Sequence, residues 1–324
     1  MKNPLPALFA ATAFLLTASS AHAQANDYPS RPIRLIVPYN AGGAVDIVGR
    51  VYAQKLSQML GQTVVVENRP GGSAMIGIKG VLQAPADGYT LLMSTTTYTT
   101  NTIVYKAPGY GLDDFAVVAG LGVSGLLLLQ STTVPANNYA ELIAYAKANP
   151  KKLNMGTLGG GGITQLLSSR FQHATGIQTT DIPYSGGSAV MQGLLGGVVD
   201  IFIDPMPTAI PQLGSNRIKA LASTTDGRSP LAPEVPTFKE LGVPSMIGGA
   251  WFAVHASAKT PQAIIDKLRL QSTEMMKAKD FLDKLTAVKV DPWTTGPESF
   301  SRYLNADKLL WEKDAERLGL KGTL

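Results

Sequence analysis

Ile33-Arg34-Leu35-Ile36-Val37-Pro38-Tyr39-Asn40-Ala41-Gly42-Gly43-Ala44-Val45-Asp46 reads as a buried strand, a glycine turn and the first turn of a helix. Ile33, Leu35, Ile36 and Val37 form the apolar, β-rich run of a strand in an α/β core, and Pro38 ends it. Gly42 and Gly43 supply backbone freedom or allow close approach by a partner. Beyond them the period changes. Val45, Val48, Tyr52, Leu56 and Met59 follow a helical stripe, while Arg50, Gln54, Lys55 and Gln58 face elsewhere. A helix start carries N–H groups with no intrahelical partner and is therefore a ready site for an anion. Asp46, in the first turn, complements the helix dipole and is placed to fix the Gly42-Gly43 loop in a ligand-receiving shape.

The N-terminus has Lys2, an apolar run over 5–17 and the A-x-A pattern Ala21-His22-Ala23. This is a secretory signal peptide, 1–23, too short to span a membrane. The remainder of the 324 residues suffices for two domains. The most apolar later stretch, 115–129, is interrupted by Gly120, Gly122, Ser124 and Gly125 and is too short to span, so the exported product is expected to be soluble. There are no cysteines, which excludes disulfides, thiolate metal sites and cysteine nucleophiles. The net charge of +5 is scattered, with no basic block for nucleic acid or a membrane surface, and a mild positive potential favours small anions.

Further along, strands are expected at 63–67 and 90–93, with a helix over 74–84 between them. The third strand runs into Ser94-Thr95-Thr96-Thr97-Tyr98-Thr99-Thr100-Asn101, a hydroxyl-rich end where α/β sheets hold ligands, or else a solvated loop. The stretch 115–130 reads as a strand pair or one long strand passing between lobes. Asn138 and Glu141 make a capping box before a helix over 139–148. A second strand–glycine–helix unit follows at Gly156-Thr157-Leu158-Gly159-Gly160-Gly161-Gly162-Ile163-Thr164-Gln165. A third, smaller one has Tyr184 and Ser185-Gly186-Gly187-Ser188, and a later strand ends at Asp204-Pro205. The segment 249–255 crosses back, Thr260-Pro261 opens a helix, and Pro297 opens a last one whose stripe is Phe300, Leu304, Leu310 and Trp311. The order predicts a two-lobed α/β protein: 26–125 plus 253–324 as lobe one, 126–252 as lobe two, with the C-terminal helices returning to lobe one.

No catalytic constellation is present. Beyond the leader, the histidines are His173, read as a surface residue, and His255, read as structural; neither has an acidic partner nearby in sequence. There is no G-x-S-x-G elbow, no Walker lysine and no metal-ligand spacing, and Gly159-x-Gly161 lacks the third glycine of a dinucleotide site. No catalytic residue, metal or cofactor is therefore assigned. What remains is two glycine-rich helix starts, one per lobe, and a hydroxyl-rich strand end. One helix terminus contributes about 0.3–1 kcal/mol, and up to about 2 when partly buried. Micromolar binding needs about 8 kcal/mol, so two loops must close together and exclude water. Neither loop contains Lys or Arg, which suits a carboxylate met by main-chain amides and hydroxyls better than a phosphate.

At these residues the chain resembles the Bug-type periplasmic solute-binding receptors of tripartite tricarboxylate transporters. The likeness covers almost all of the chain after the leader. It runs from Tyr28-Pro29-Ser30-Arg31-Pro32 through Gly42-Gly43-x-x-Asp46, Val66-Glu67-Asn68-Arg69-Pro70-Gly71, Ala86-Asp87-Gly88-Tyr89-Thr90-Leu91-Leu92 and Ile182-Pro183-Tyr184 to Leu194-Leu195-Gly196-Gly197-x-Val199-Asp200. The resemblance implies a two-lobed periplasmic binding protein with its ligand between the lobes, acting as a monomer that serves membrane permease subunits. It implies that a carboxylate meets the loop of Tyr39, Asn40, Ala41, Gly42, Gly43 and Asp46, often through ordered water. The other end of the ligand would meet Thr157, Gly159, Gly161, Gly162, Ile163 and Thr164. Ser94, Thr97, Tyr98, Tyr184 and Ser188 would line the walls, with Asp204 nearby. This chain departs from the family in having Gly162-Ile163 in place of a Ser/Thr pair, Gln165 and Tyr98 in place of histidines, and Asn40-Ala41 in place of a proline-rich turn. Those changes remove hydroxyls and add apolar and aromatic surface, so the expected ligand is an aromatic or longer-chain mono- or dicarboxylate. Two alternatives stand beside transport: a sensor that presents its bound state to a membrane histidine kinase, and a secreted enzyme on the same fold.

Overall fold

The computed structural model describes residues 28–159 and 162–324. The leader read at 1–23 and Gly161 of the second glycine loop lie outside the described residues. β1 (Ile33–Val37) buries Ile33, Leu35, Ile36 and Val37 completely and leaves Arg34 exposed. Helix α1 (Ala44–Leu60) leads to β2 (Val64–Asn68), and α2 (Met75–Leu82) leads to β3 (Thr90–Thr95); β2 and β3 flank β1 in parallel. The α1 stripe is the expected one: Val45, Val48, Tyr52 and Leu56 are buried and Met59 packs on the same core.

After β3 the structure departs from the sequence reading. The hydroxyl-rich stretch is not a loop: Thr97–Val104 is a helix, α3, and nearly all of it is buried. Two of its threonine hydroxyls bond back onto the helix, Thr102 Oγ1 to Thr99 O at 2.8 Å and Thr100 Oγ1 to Thr97 O at 3.5 Å, whereas Thr99 Oγ1 is buried without a partner.

The stretch 115–130 is a pair of strands in different sheets: β4 (Phe115–Ser124) and β5 (Leu126–Ser131), split at Gly125. A Cβ on Gly125 would lie 2.4 Å from Thr225 Cγ2, so only glycine lets the crossing segments approach so closely. The second sheet continues through α4 (Tyr139–Ala148), β6 (Asn154–Thr157), α5 (Ile163–Thr175), β7 (Thr180–Pro183), α6 (Gly187–Leu195), β8 (Ile201–Pro205), α7 (Met206–Ala209) and β9 (Ile218–Ser223). The chain returns to the first sheet as β10 (Ala250–Ser257), antiparallel to both β3 and β4. Thr224 ties the crossings together: its Oγ1 accepts from Leu126 N at 2.9 Å and donates to Gly248 O at 2.7 Å. Then come α8 (Gln262–Met275), α9 (Lys279–Ala287), β11 (Asp291–Pro292) and α10 (Gly296–Arg317). The sheet orders are β11-β4-β10-β3-β1-β2 and β7-β6-β8-β5-β9.

The last helix belongs to both lobes. Phe300 and Leu304 of α10 sit in the core of the first sheet, and Trp311 and Ala315 sit in a core of the second. Leu310, expected on the buried stripe, is 63% exposed, because it lies one position off the face that Trp311 presents. Arg170 of α5 forms an ion pair with Asp314 and stacks 4.4 Å from the Trp311 ring. Asp307 accepts the indole N–H groups of Trp251 at 2.9 Å and Trp311 at 3.1 Å.

Candidate functional site

The two lobes meet across a cavity of about 40 Å³. Four helices begin at it, and none has a side-chain cap: α1 after Gly43, α3 after Thr96, α5 after Gly162 and α6 after Gly186. Helices α2, α8, α9 and α10, away from the cavity, also lack a side-chain cap, whereas α4 is closed by Asn138, which accepts from Glu141 N at 3.0 Å. Open helix starts present N–H groups and positive dipole ends to whatever enters. The walls are largely apolar, with Tyr39, Val45, Leu158, Ile163 and Phe252, and among the described residues no lysine or arginine lines them.

The loop of lobe one is held by charge. Gly42 has φ +78°, a conformation that favours glycine, and its N–H donates to Asp46 Oδ2 at 2.9 Å. The same oxygen accepts from Arg50 Nε at 2.9 Å, while Asn68 Nδ2 donates to Asp46 Oδ1 at 2.9 Å and to Tyr39 O at 3.0 Å. Burial acts to raise the Asp46 pKa, but the bonds from Arg50, Gly42 and Asn68 outweigh it and hold the carboxyl below its ordinary value. Asp46 thus fixes the loop, as its position suggested. Arg50, placed away from the core stripe, and Asn68, 22 residues along the chain on β2, complete the arrangement; a helix i,i+4 acid–base pair was the available signal for the first.

Within the described residues of the lobe-two loop, Leu158 N donates to Thr164 Oγ1 at 2.7 Å, a neutral bond. Below it lies Asp204, fully buried. Its Oδ2 accepts from Thr208 Oγ1 at 2.5 Å, and its Oδ1 lies 3.6 Å from where a Cβ on Gly187 would stand. Burial pushes its pKa up to about 8, so the group is mostly a neutral acid at pH 7.

Of the expected site residues, Tyr39, Gly43, Thr97, Ile163, Thr164 and Asp204 line this cavity. Gly42 and Ser188 line a neighbouring, larger cavity of about 410 Å³ with Ile47, Met191 and Leu195. Asn40 reaches across the lobes and donates to Ser185 Oγ at 2.9 Å, and Ala41 is exposed beside it. Gly159 and Gly162 face Ser73, whose hydroxyl donates to Leu158 O at 3.4 Å, and Ile163 N donates to Thr97 Oγ1 at 3.4 Å. The lobes are therefore closed on each other. Ser94, Tyr98, Thr157 and Tyr184 do not line the cavity. Ser94 bonds to His255 behind β3, Thr157 is buried in β6, and the Tyr184 hydroxyl lies against Gly193 of α6. Tyr98 turns the other way, because α3 is helical and places successive residues around its axis; its hydroxyl donates to Leu112 O at 3.1 Å. Thr95, Leu158 and Gly187, within the stretches expected to line the site, also reach the cavity; sequence reasoning missed Ala250 and Phe252, which reach it only through the pairing of β10 with β3 and the closure of the lobes.

Two sheets joined by crossing strands, with open helix starts around the cavity between them, define a two-lobed solute-binding receptor. Residues 48–320 match the Tripartite tricarboxylate transporter family receptor, and the chain belongs to that family. Protein BugT of Bordetella pertussis is 33% identical over 312 residues, covering 95% of this chain and 96% of the relative. The structure of an R. palustris protein with adipate superposes with a TM-score of 0.87 at 33% identity, covering 91% of this chain and 99% of that one. MatC from Rhodopseudomonas palustris with bound malate gives 0.84 at 26% identity, covering 89% and 99%. The resemblance read from the motifs is thus confirmed, and with it a receptor in place of an enzyme.

Proposed function

We propose that the protein captures a small carboxylate with an apolar body in the interlobe cavity and delivers it, in the periplasm, to the permease of a tripartite tricarboxylate-type transporter. The observation that carries this reading is the convergence of four uncapped helix starts on an apolar cavity with no cationic side chain among its described lining residues. The N–H groups after Gly43 meet carboxylate oxygens, as does that of Ile163 once its bond to Thr97 parts, Thr97 and Thr164 add hydroxyls, and Tyr39 and Ile163 pack against the ligand body. Asp204, mostly protonated at pH 7, donates a hydrogen bond where an ionised group would repel an anion. That relatives have been captured with adipate and malate supports the class. The cavity is narrow, so the Asn40–Ser185 and Ser73–Leu158 contacts part to admit the ligand and re-form around it.

The test is a thermal-shift panel of adipate, malate, citrate, aspartate and benzoate, followed by isothermal titration. A true ligand at about 100 times its Kd adds about 2.7 kcal/mol of stability. Adipate or benzoate stabilising more than citrate or aspartate supports the reading. Micromolar citrate binding with no response to the apolar acids overturns the apolar-body assignment, and silence across the panel overturns the class.

A further inference from the structure

A second cavity, of about 260 Å³, lies within lobe one and shares no lining residue with the cleft. It sits among α3, the start of β4, β10, α8 and α10, and its wall carries two charges of opposite sign, Arg269 and Asp113. They are not paired with each other. Arg269 Nε donates to Val117 O at 2.9 Å, and among the described residues neither group forms an ion pair.

The same wall holds buried polar atoms without a protein partner, His255 Nε2 and Thr99 Oγ1. Ser94 Oγ lies 2.9 Å from His255 Nδ1 and 3.3 Å from Ala253 O. One hydroxyl hydrogen serves both contacts only if Nδ1–H donates to Ser94 and Ser94 donates to Ala253. Nε2 is then a bare acceptor. Burial drives the imidazole pKa down to about 3, so the ring stays neutral and keeps that acceptor at any pH the protein meets.

We propose that this cavity is a second ligand site, for a small zwitterionic amino acid whose carboxylate pairs with Arg269 and whose ammonium group is met by Asp113 and the His255 imidazole. An ion of one sign would leave one of the two wall charges opposed, whereas a zwitterion answers both. The Tyr98 ring, 4.9 Å from the imidazole, supplies an apolar wall for the side chain. The volume suits a ligand smaller than the drug-sized molecules that fill cavities of about 300–1,000 Å³. The inference does not rest on the carboxylate reading of the cleft. The two sites are nevertheless linked through α3, whose Thr97 reaches the cleft while Tyr98 and Thr99 line this cavity.

The test is isothermal titration of the mature receptor with glycine, alanine, serine and leucine, in wild type and in Gly43→Val, Asp113→Asn and Arg269→Gln variants. Saturable binding is expected to persist in Gly43→Val, where the cleft is obstructed, and to weaken about tenfold or more in Asp113→Asn and Arg269→Gln. Asp113 is exposed, so that variant stays informative if Arg269→Gln does not fold. No binding up to about 10 mM, loss of binding in Gly43→Val, or unchanged binding in Asp113→Asn overturns the proposal.

Discussion

Each jaw of the cleft contains a buried carboxyl, and the two are kept in opposite states. Asp46 in lobe one is surrounded by Arg50, Asn68 and the Gly42 amide and remains charged. Asp204 in lobe two has one hydroxyl partner and keeps its proton. The first acid organises a loop; the second lines the interlobe cavity. An ionised loop-former costs little here because its partners are part of the protein, whereas an ionised wall would meet an anionic guest. If the guest is the proposed carboxylate, a receptor for acids can itself use acids, provided each is held in the state its position requires.

This comparison can be broken in several ways. The largest effect is expected from Asp204→Asn. Between pH 4 and 8 the folded protein holds a proton that the unfolded chain has released, so stability falls as pH rises, by up to about 1.4 kcal/mol per unit. Urea denaturation across that window should show a flatter profile in the variant, and its carboxylate affinity should lose the decline that wild type shows above about pH 8. An unchanged slope would mean that Asp204 is ionised. Gly43→Val comes next. A Cβ there meets nothing closer than 3.5 Å, so the chain folds, but the branched side chain occupies the cavity and affinity should fall more than about hundredfold by titration calorimetry.

Asp46→Ala should cost about 1–3 kcal/mol at neutral pH and weaken binding about tenfold. Because the folded carboxyl is held low, its contribution in wild type is present at neutral pH and disappears as pH falls through the folded value; thermal melts at pH 7 and pH 3 should differ less in the variant. Thr164→Val removes a single neutral bond to Leu158 N and should cost about 0.5–1.5 kcal/mol with a few-fold loss of affinity. If Thr164→Val proved more damaging than Asp46→Ala, the idea that lobe one carries the more strongly organised loop would fail.

Much of this was legible in the chain. The switch from the run Ile33, Leu35, Ile36, Val37 to the stripe Val45, Val48, Tyr52, Leu56 is a change of period, and period is local. The glycine loops and the role of Asp46 followed from what helix starts require. What was not legible depends on long-range pairing or on helical phase. Phe252 reaches the cleft only because β10 lies antiparallel against β3. Tyr98 leaves it only because threonines that individually favour strands are held in a helix by burial and back-bonding. Leu310 and Trp311 are adjacent in sequence, and a shift of one residue decided which of them was buried.

The last helix has a mechanical consequence. With Phe300 seated under the first sheet and Trp311 under the second, the jaws cannot swing apart on the strand crossings alone, since that would unseat one ring or the other. A swing about a line close to this helix, like a door hung on a rod, would keep both rings seated, with the gape smallest on the helix side and widest at the far lip.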